Sequence, residues 1–303
     1  MDAWIPITIA AAFLQNLRFM LQKHLKATRL STAGATFARF AYGAPAAALA
    51  VAGLAVALGE PLPGTNARFW AMALTGGLAQ ILATVCVVAL FAARNFAVGI
   101  ALKKTETVQT AILGLVVLGE AVAPGALVAI LVGLVGVLLL SDPPGRAPGA
   151  GWRGRVFNRA AGLGLASGAL FGVSAIGYRG AALALEDGGV LIRAAVTLAA
   201  VTAAQALAMA LWLGWREAGE AGRVFRHWRV TLPAGLASVA GSLCWFTAFT
   251  LQSPAYVKAL GQVELVFTFL ASWLVFRERS TRREVAGVVL VVASILILVL
   301  AAA

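Results

Sequence analysis

The sequence predicts an all-α integral membrane protein of ten transmembrane helices, arranged as two inverted five-helix repeats. Three observations predict it. The chain of 303 residues is 61% hydrophobic and 12% charged, with a mean hydropathy of +0.91. Soluble domains sit near about 45–50% apolar with roughly a quarter charged. The apolar residues fall in long unbroken runs instead of alternating with polar ones, which selects helices over strands. The second half of the chain also repeats the register of the first. This composition excludes an ordinary cytosolic enzyme, a disordered chain and a coiled coil.

A bilayer crossing takes about 20 mostly apolar residues, and ten runs meet that need in turn. The first, 4–22, is interrupted by Arg18, is followed directly by Lys23 and lacks a small-residue cleavage site, so it reads as a span and not a cleavable signal. Residues 32–58 follow, with Arg39 near their start, then 69–93. Residues 97–118 carry Lys103, Lys104 and Glu106. Residues 122–141 carry Gly133 and Gly136. Residues 142–158 form a Pro-, Gly- and Arg-rich linker, a composition that separates folded segments. Span six, 159–182, has Gly164, Gly168 and Gly172 at every fourth position, which lets helices approach closely. Residues 189–213 contain Arg193, and 231–251 contain Trp245. Residues 254–275 contain Lys258, Gln262 and Glu264, and 284–302 complete the set. The predicted domains are therefore 1–141, the linker 142–158, and 159–303.

A shift of 158 positions, without gaps, lays Gly77-Leu78-Ala79 on Gly235-Leu236-Ala237. The same register pairs Cys86 with Cys244, Phe91 with Phe249, Ala101 with Ala259 and Glu106 with Glu264. It also pairs Val108 with Val266, Thr110 with Thr268 and Glu120 with Glu278. A shift of 154 pairs Arg39 with Arg193. An odd number of helices per repeat forces the halves into opposite orientations, a pattern of secondary transporters with a site near the bilayer midplane.

Ten spans, an Arg opening the second span of each half, and an apolar helix ending in a short-loop Glu make up a recognisable set. The carrying residues are Leu118-Gly119-Glu120 followed by the helix with Gly133 and Gly136, and Phe276-Arg277-Glu278 followed by Gly287. In these features the chain resembles the drug/metabolite transporter superfamily of the EamA type. The resemblance implies a ten-helix fold and transport of small molecules, a class that includes amino acids, sugars, nucleotide sugars, organic cations and drugs. It departs at the middles of the fourth and ninth spans. Relatives often carry Pro there, whereas this chain has Lys103-Lys104-Thr105-Glu106 and Gly261-Gln262-Val263-Glu264.

The net charge is +12. In a membrane protein such a surplus marks cytoplasmic loops, which outweighs a nucleic-acid reading. Sixteen of the 24 Lys and Arg fall in alternate loops, against Arg68 alone in the others. That asymmetry puts both termini outside the cytoplasm, whereas the resemblance implies both inside. The loop residues Glu60, Arg68, Glu186 and Asp187 read as solvated and dispensable for transport.

Seven basic residues lie within spans: Arg18, Arg39, Lys103, Lys104, Arg179, Arg193 and Lys258. Glu106 and Glu264 join them. Each charge at the bilayer centre costs about 2.5–3.5 kcal/mol on insertion scales, so such residues face a cavity or one another. Arg39, Arg179 and Arg193 lie near span ends, where snorkelling or capping of a neighbouring helix accounts for them. Lys103 and Glu106 are three apart and share a helix face. Glu106 and Glu264 are the expected substrate or proton-coupling residues. Around them the reading gathers Lys103, Lys258 with Gln262 four residues on, Gln15 and Arg18 from a polar stripe in span one, and Trp245 as a cavity-lining aromatic. Trp273 is also placed within a span.

No phosphate-loop, zinc-protease or nucleophile-elbow motif is present, and His24 and His227 are solitary, so the expectation is no enzyme activity, no metal and no cofactor. The reading is a secondary transporter in the cell membrane for a small polar or amphipathic metabolite. An amino acid or organic acid is favoured by the basic surplus within the spans. Its partners are that substrate, protons and the lipid bilayer; nucleic acid is not one. The chain is expected to be a monomer or weak dimer. The alternatives are an organic-cation or drug exporter, a channel, and a membrane-embedded lipid enzyme.

Overall fold

The computed structural model describes residues 2–25, 30–91, 102–140, 159–274 and 282–302. The predicted linker 142–158 lies outside them, as do residues 97–101 of span four and Arg277 and Glu278. Every regular element among the described residues is an α-helix. Five helices are long and apolar enough to cross a bilayer: Ala33–Leu58, Ala67–Val87, Arg159–Leu183, Val190–Arg216 and Trp228–Leu251. Shorter apolar helices cover Trp4–Gln15, Glu106–Leu118, Pro124–Leu140 and Val285–Ala301. The 26 residues of the first long helix reach about 39 Å at 1.5 Å per residue, more than the roughly 30 Å hydrocarbon core. Large apolar side chains point outward along these helices: Val56 is 85% exposed and Leu300 77%. A soluble protein would bury them, whereas acyl chains solvate them. The chain is a multi-pass helical membrane protein.

The helices fall into two compact units, Met1–Leu78 with Gly177–Gln252, and Ala79–Ile176 with Ser253–Ala303. Each unit draws on both sides of the linker.

The first unit contains α1 (Trp4–Leu25), α2 (Thr32–Leu58), the start of α3 (Ala67–Phe91), the end of α6 (Arg159–Leu183), α7 (Val190–Arg216), α8 (Glu220–Arg226) and α9 (Trp228–Leu251). Here α1 packs on α9, and α2 packs on α7 and α9. The Ser31 hydroxyl caps α2, accepting from the Gly34 N–H at 3.0 Å. The Asn66 carboxamide caps α3, accepting from the Phe69 N–H at 2.8 Å, while its amide donates to the Ala184 carbonyl at 2.7 Å. Each side chain satisfies backbone groups that a helix end leaves open. Glu60 does the same for α7: its Oε2 accepts from the Gly189 N–H at 2.6 Å. Its loop position alone predicts a solvated side chain. It is a helix-capping carboxylate, drawn there by the positive end of α7.

The second unit contains the rest of α3, α4 (Glu106–Leu118), α5 (Pro124–Leu140), the first part of α6, α10 (Pro254–Gly261), α11 (Val263–Leu274) and α12 (Arg282–Ala302). Its main contact is α5 on α12. Gly136 and Gly287 make that approach possible: a Cβ on Gly136 would lie 2.8 Å from the Gly287 carbonyl oxygen, and the reverse contact is also 2.8 Å. Only glycine leaves room for backbones this close. The α10 helix packs on α4, α5 and α12.

Candidate substrate site

The fourth predicted span is not one continuous helix. Leu102 and Lys103 are helical, Lys104 and Thr105 form a turn, and α4 restarts at Glu106. The Thr105 N–H bonds three residues back to the Leu102 carbonyl at 3.1 Å, and the Thr105 hydroxyl donates to the same oxygen at 2.6 Å. Local Thr bonds of this kind compete with the helix ladder and explain the interruption. The ninth predicted span breaks likewise. Its first piece, α10, ends at Gly261, Gln262 turns with its N–H donating to the Ala259 carbonyl at 3.3 Å, and α11 begins at Val263. Under the 158-residue register the two breaks coincide, and each places a glutamate in the first turn of the following helix.

The breaks gather charge. Glu106 Oε1 lies 2.5 Å from Nζ of Lys258 on α10, and its Oε2 lies 3.6 Å from Nζ of Lys103. Lys103 does share a face with Glu106, as its spacing predicts, but Lys258 from the other half of the sequence makes the shorter contact. Lys258 therefore points to α4 and not along its own helix to Gln262. Gln262 also reaches α4, where its Nε2 donates to the Thr107 hydroxyl at 3.2 Å. Lys104 lies within electrostatic reach of Glu264 and Glu106 as well as of Lys103 and Lys258. Phe171 on α6 lies beneath two of the ammoniums, 4.9 Å from Lys103 Nζ and 5.9 Å from Lys258 Nζ, measured to the ring centroid. Contacts of this length are cation–π attractions.

Neighbouring helices hold the cluster in place. Thr110 on α4 donates to the Glu106 carbonyl at 2.7 Å, and the Gln109 amide donates to the Thr105 hydroxyl at 2.8 Å. Gly168 and Gly172 on α6 leave space for α4: a Cβ on Gly168 would lie 3.1 Å from the Lys103 carbonyl oxygen, and one on Gly172 would lie 3.0 Å from the Thr110 hydroxyl. On α10, Tyr256 accepts from the Ala123 N–H at 3.1 Å and so ties α10 to the segment before α5. The charged side chains keep 13–23% of their exposure. They are shielded enough to interact strongly, yet not sealed from a solute. Three lysines stand with two glutamates, an arrangement suited to holding an anion.

The expected residues thus divide. Lys103, Glu106, Lys258 and Gln262 meet directly, and Glu264 joins through Lys104. Gln15 and Trp245 belong to the other unit, where Gly241 of α9 packs beside Gln15 and Trp245 stacks on Phe249 with centroids 5.8 Å apart. Arg18 lies on α1 with its side chain outside the described residues, and so does the side chain of Trp273 on α11. Phe171 and Thr107 were missed: nothing in the sequence separates Phe171 from the other phenylalanines among the 15 in the chain. Two of the arginines predicted to lie within spans act on backbone. Arg179 donates to the Phe249 and Thr250 carbonyls at 2.6 and 3.3 Å near the end of α9, and Arg193 donates to the Leu185 carbonyl at 3.4 Å. Arg39 donates to the Ser242 hydroxyl at 3.4 Å and lies over the Phe40 ring. Among the described residues, no group of three His, Cys, Asp or Glu side chains could hold a metal.

Residues 159–300 match the EamA-like transporter family. That match covers the second predicted repeat, and it makes this half of the chain similar to a family of transporters. A crystal structure titled only "Crystal structure of protein" is similar over 99% of this chain and 96% of its own, with a TM-score of 0.73 and 16% identity. At that identity the likeness shows the fold alone. No curated protein matches the chain.

Proposed function

We propose that the protein is a secondary active transporter of a small carboxylate-bearing metabolite, an amino acid or an organic acid. The observation that carries this reading is the meeting of Lys103, Lys104 and Lys258 at the paired breaks in spans four and nine, with a glutamate opening the helix after each break. Interrupted helices of this kind form substrate sites near the midplane of transporters built from inverted repeats. In this reading the chain has ten spans in two inverted five-helix repeats, and the site alternates its access between the two faces of the cell membrane. Lysines reach the cargo carboxylate, and Gln262 and Thr107 supply hydrogen bonds. An organic-cation exporter is disfavoured, because both oxygens of Glu106 already face ammoniums that a cationic cargo would have to displace. The test has two parts. Detergent-purified protein is melted with amino acids, organic acids, sugars and quaternary amines, where a ligand at 100 times its Kd adds about 2.7 kcal/mol. The stabilising compounds are then tested for counterflow in proteoliposomes, which a carrier supports and a channel does not. Stabilisation by quaternary amines and not by carboxylates overturns the reading.

A further inference from the structure

We infer that Glu106 is a built-in competitor for the cargo's carboxylate, so that an anion on Lys258 and Lys103 and a proton on Glu106 bind together. The inference rests on the carboxylate reading above and adds the coupling ion and its direction. It starts from occupancy. Glu106 Oε1 lies 2.5 Å from Lys258 and Oε2 lies 3.6 Å from Lys103, so the side chain occupies the place between the ammoniums that an incoming carboxylate would need. Two carboxylates cannot share that place cheaply, since like charges at contact distance disfavour each other's ionised form. A proton on either Glu106 oxygen removes its hold on the lysines and leaves a neutral acid able to donate a hydrogen bond. The incoming anion then takes over the ammoniums.

The surroundings favour this exchange. The charged groups facing Glu106 are Lys103 and Lys104 from the preceding turn and Lys258 from α10, and Glu264 of α11 lies within electrostatic reach of Lys104. The packed segment of α5, Pro124–Leu140, contains no titratable residue, and α6 presents Phe171 to the lysines. The empty cluster, with three ammoniums and two carboxylates, has a net charge of +1. Gaining a proton and a monovalent anion leaves it at +1. Gaining the anion alone would take it to zero with two carboxylates contending for the same cations. The Phe171 ring holds both lysines whichever carboxylate is present. Cotransport of a monocarboxylate with one proton moves no net charge, so a pH gradient drives accumulation and a membrane potential does not.

The first test uses the wild-type protein, purified in detergent, with L-lactate, benzoate, succinate and L-glutamate as probes. Adding a binding carboxylate to weakly buffered protein should raise the pH of the medium as protons are taken up. Its affinity should fall about tenfold per pH unit above the pH at which Glu106 titrates, the slope for one linked proton. Glu106→Gln should bind the same probe with no proton uptake and no such slope. In proteoliposomes the variant should lose accumulation driven by the pH gradient. Binding without proton uptake in wild type overturns the inference and leaves the carboxylate reading standing. So does an unchanged slope in Glu106→Gln. Binding of none of the four probes overturns both. If Glu106→Gln fails to fold, the wild-type proton count and slope decide alone.

Discussion

Lys258, from the second half of the sequence, lies 2.5 Å from Glu106, in the first. The contact joins the two interrupted spans within one compact unit. A hydrogen bond to a charged partner contributes about 1.5–3 kcal/mol. If the cargo carboxylate takes over the same ammonium, Lys258→Met should lower uptake roughly 10- to 100-fold, one factor of ten per 1.4 kcal/mol. The check is initial-rate uptake in proteoliposomes, normalised to protein that elutes as a single peak by size exclusion. Wild-type uptake would remove Lys258 from the site.

The second prediction separates two glycines one turn apart on α5. A methyl on Gly136 would meet backbone, the Gly287 carbonyl and the Val291 nitrogen, at 2.8 and 2.9 Å. A methyl on Gly133 would meet the ends of side chains, Gln262 Oε1 at 2.7 Å and Ser294 Oγ at 2.8 Å. Backbone cannot move aside without parting α5 from α12, whereas side chains can. Gly136→Ala should therefore destabilise by about 1–3 kcal/mol, the usual cost of overpacking. Gly133→Ala should melt nearer wild type yet bind substrate more weakly, through the displaced Gln262. Thermal melts and binding on the same preparations test both halves.

The paired glutamates were legible in the sequence because a register of 158 residues maps one on the other. The breaks beside them were not. Lys103-Lys104-Thr105-Glu106 contains neither Pro nor Gly, and its interruption comes from a Thr hydroxyl bonding back to Leu102. The Lys103–Glu106 pair was legible because it is local. The Lys258–Glu106 pair was not, because it depends on α10 packing against α4, which no spacing along one helix encodes. The same packing draws Gln262 to Thr107. Glu60 was misread for a related reason: its partner is a backbone N–H 129 positions away.

Glu220 supplies an acid-sensitive contact outside the membrane-spanning helices. Its side chain is fully buried, accepts from the Ser31 N–H at 2.6 Å and pairs with Arg223, while Ser31 also donates to Glu217 at 2.5 Å. Burial raises the Glu220 pKa, but the Ser31 bonds and Arg223 more than reverse it, so the carboxyl sits below its ordinary value. A depressed folded pKa gives stability that is present above the unfolded pKa of about 4.3 and is lost as pH falls through the folded value. Wild type should lose melting temperature on acidification through that window, and Glu220→Gln should start lower and lose less. Parallel slopes for the two proteins would show that Glu220 does not govern this loss.

Glu60 and Gly189 give a prediction that separates stability from transport. Removing a capping acceptor costs about 0.5–2 kcal/mol. Glu60→Ala should lower the melting temperature but leave uptake per folded molecule unchanged. An uptake defect in fully folded protein would assign this loop a part in transport.

The charge asymmetry of the loops predicts the orientation. A fluorescent reporter that matures only in the cytoplasm, fused to the C-terminus, should stay dark. Bright signal from a correctly inserted fusion would reverse the orientation while leaving the ten-span reading intact.

The Lys258–Glu106 contact also sets a timetable for biogenesis. The two residues are about 150 positions apart in the chain. At roughly 5–20 residues per second, Lys258 leaves the ribosome on the order of ten to thirty seconds after Glu106. The α4 segment is therefore synthesised before its cross-half cation exists. Until then Lys103, three residues away, is the counter-charge that Glu106 has within its own segment. The nearer lysine is thus present first, and the distant one completes the cluster only when translation has passed α10.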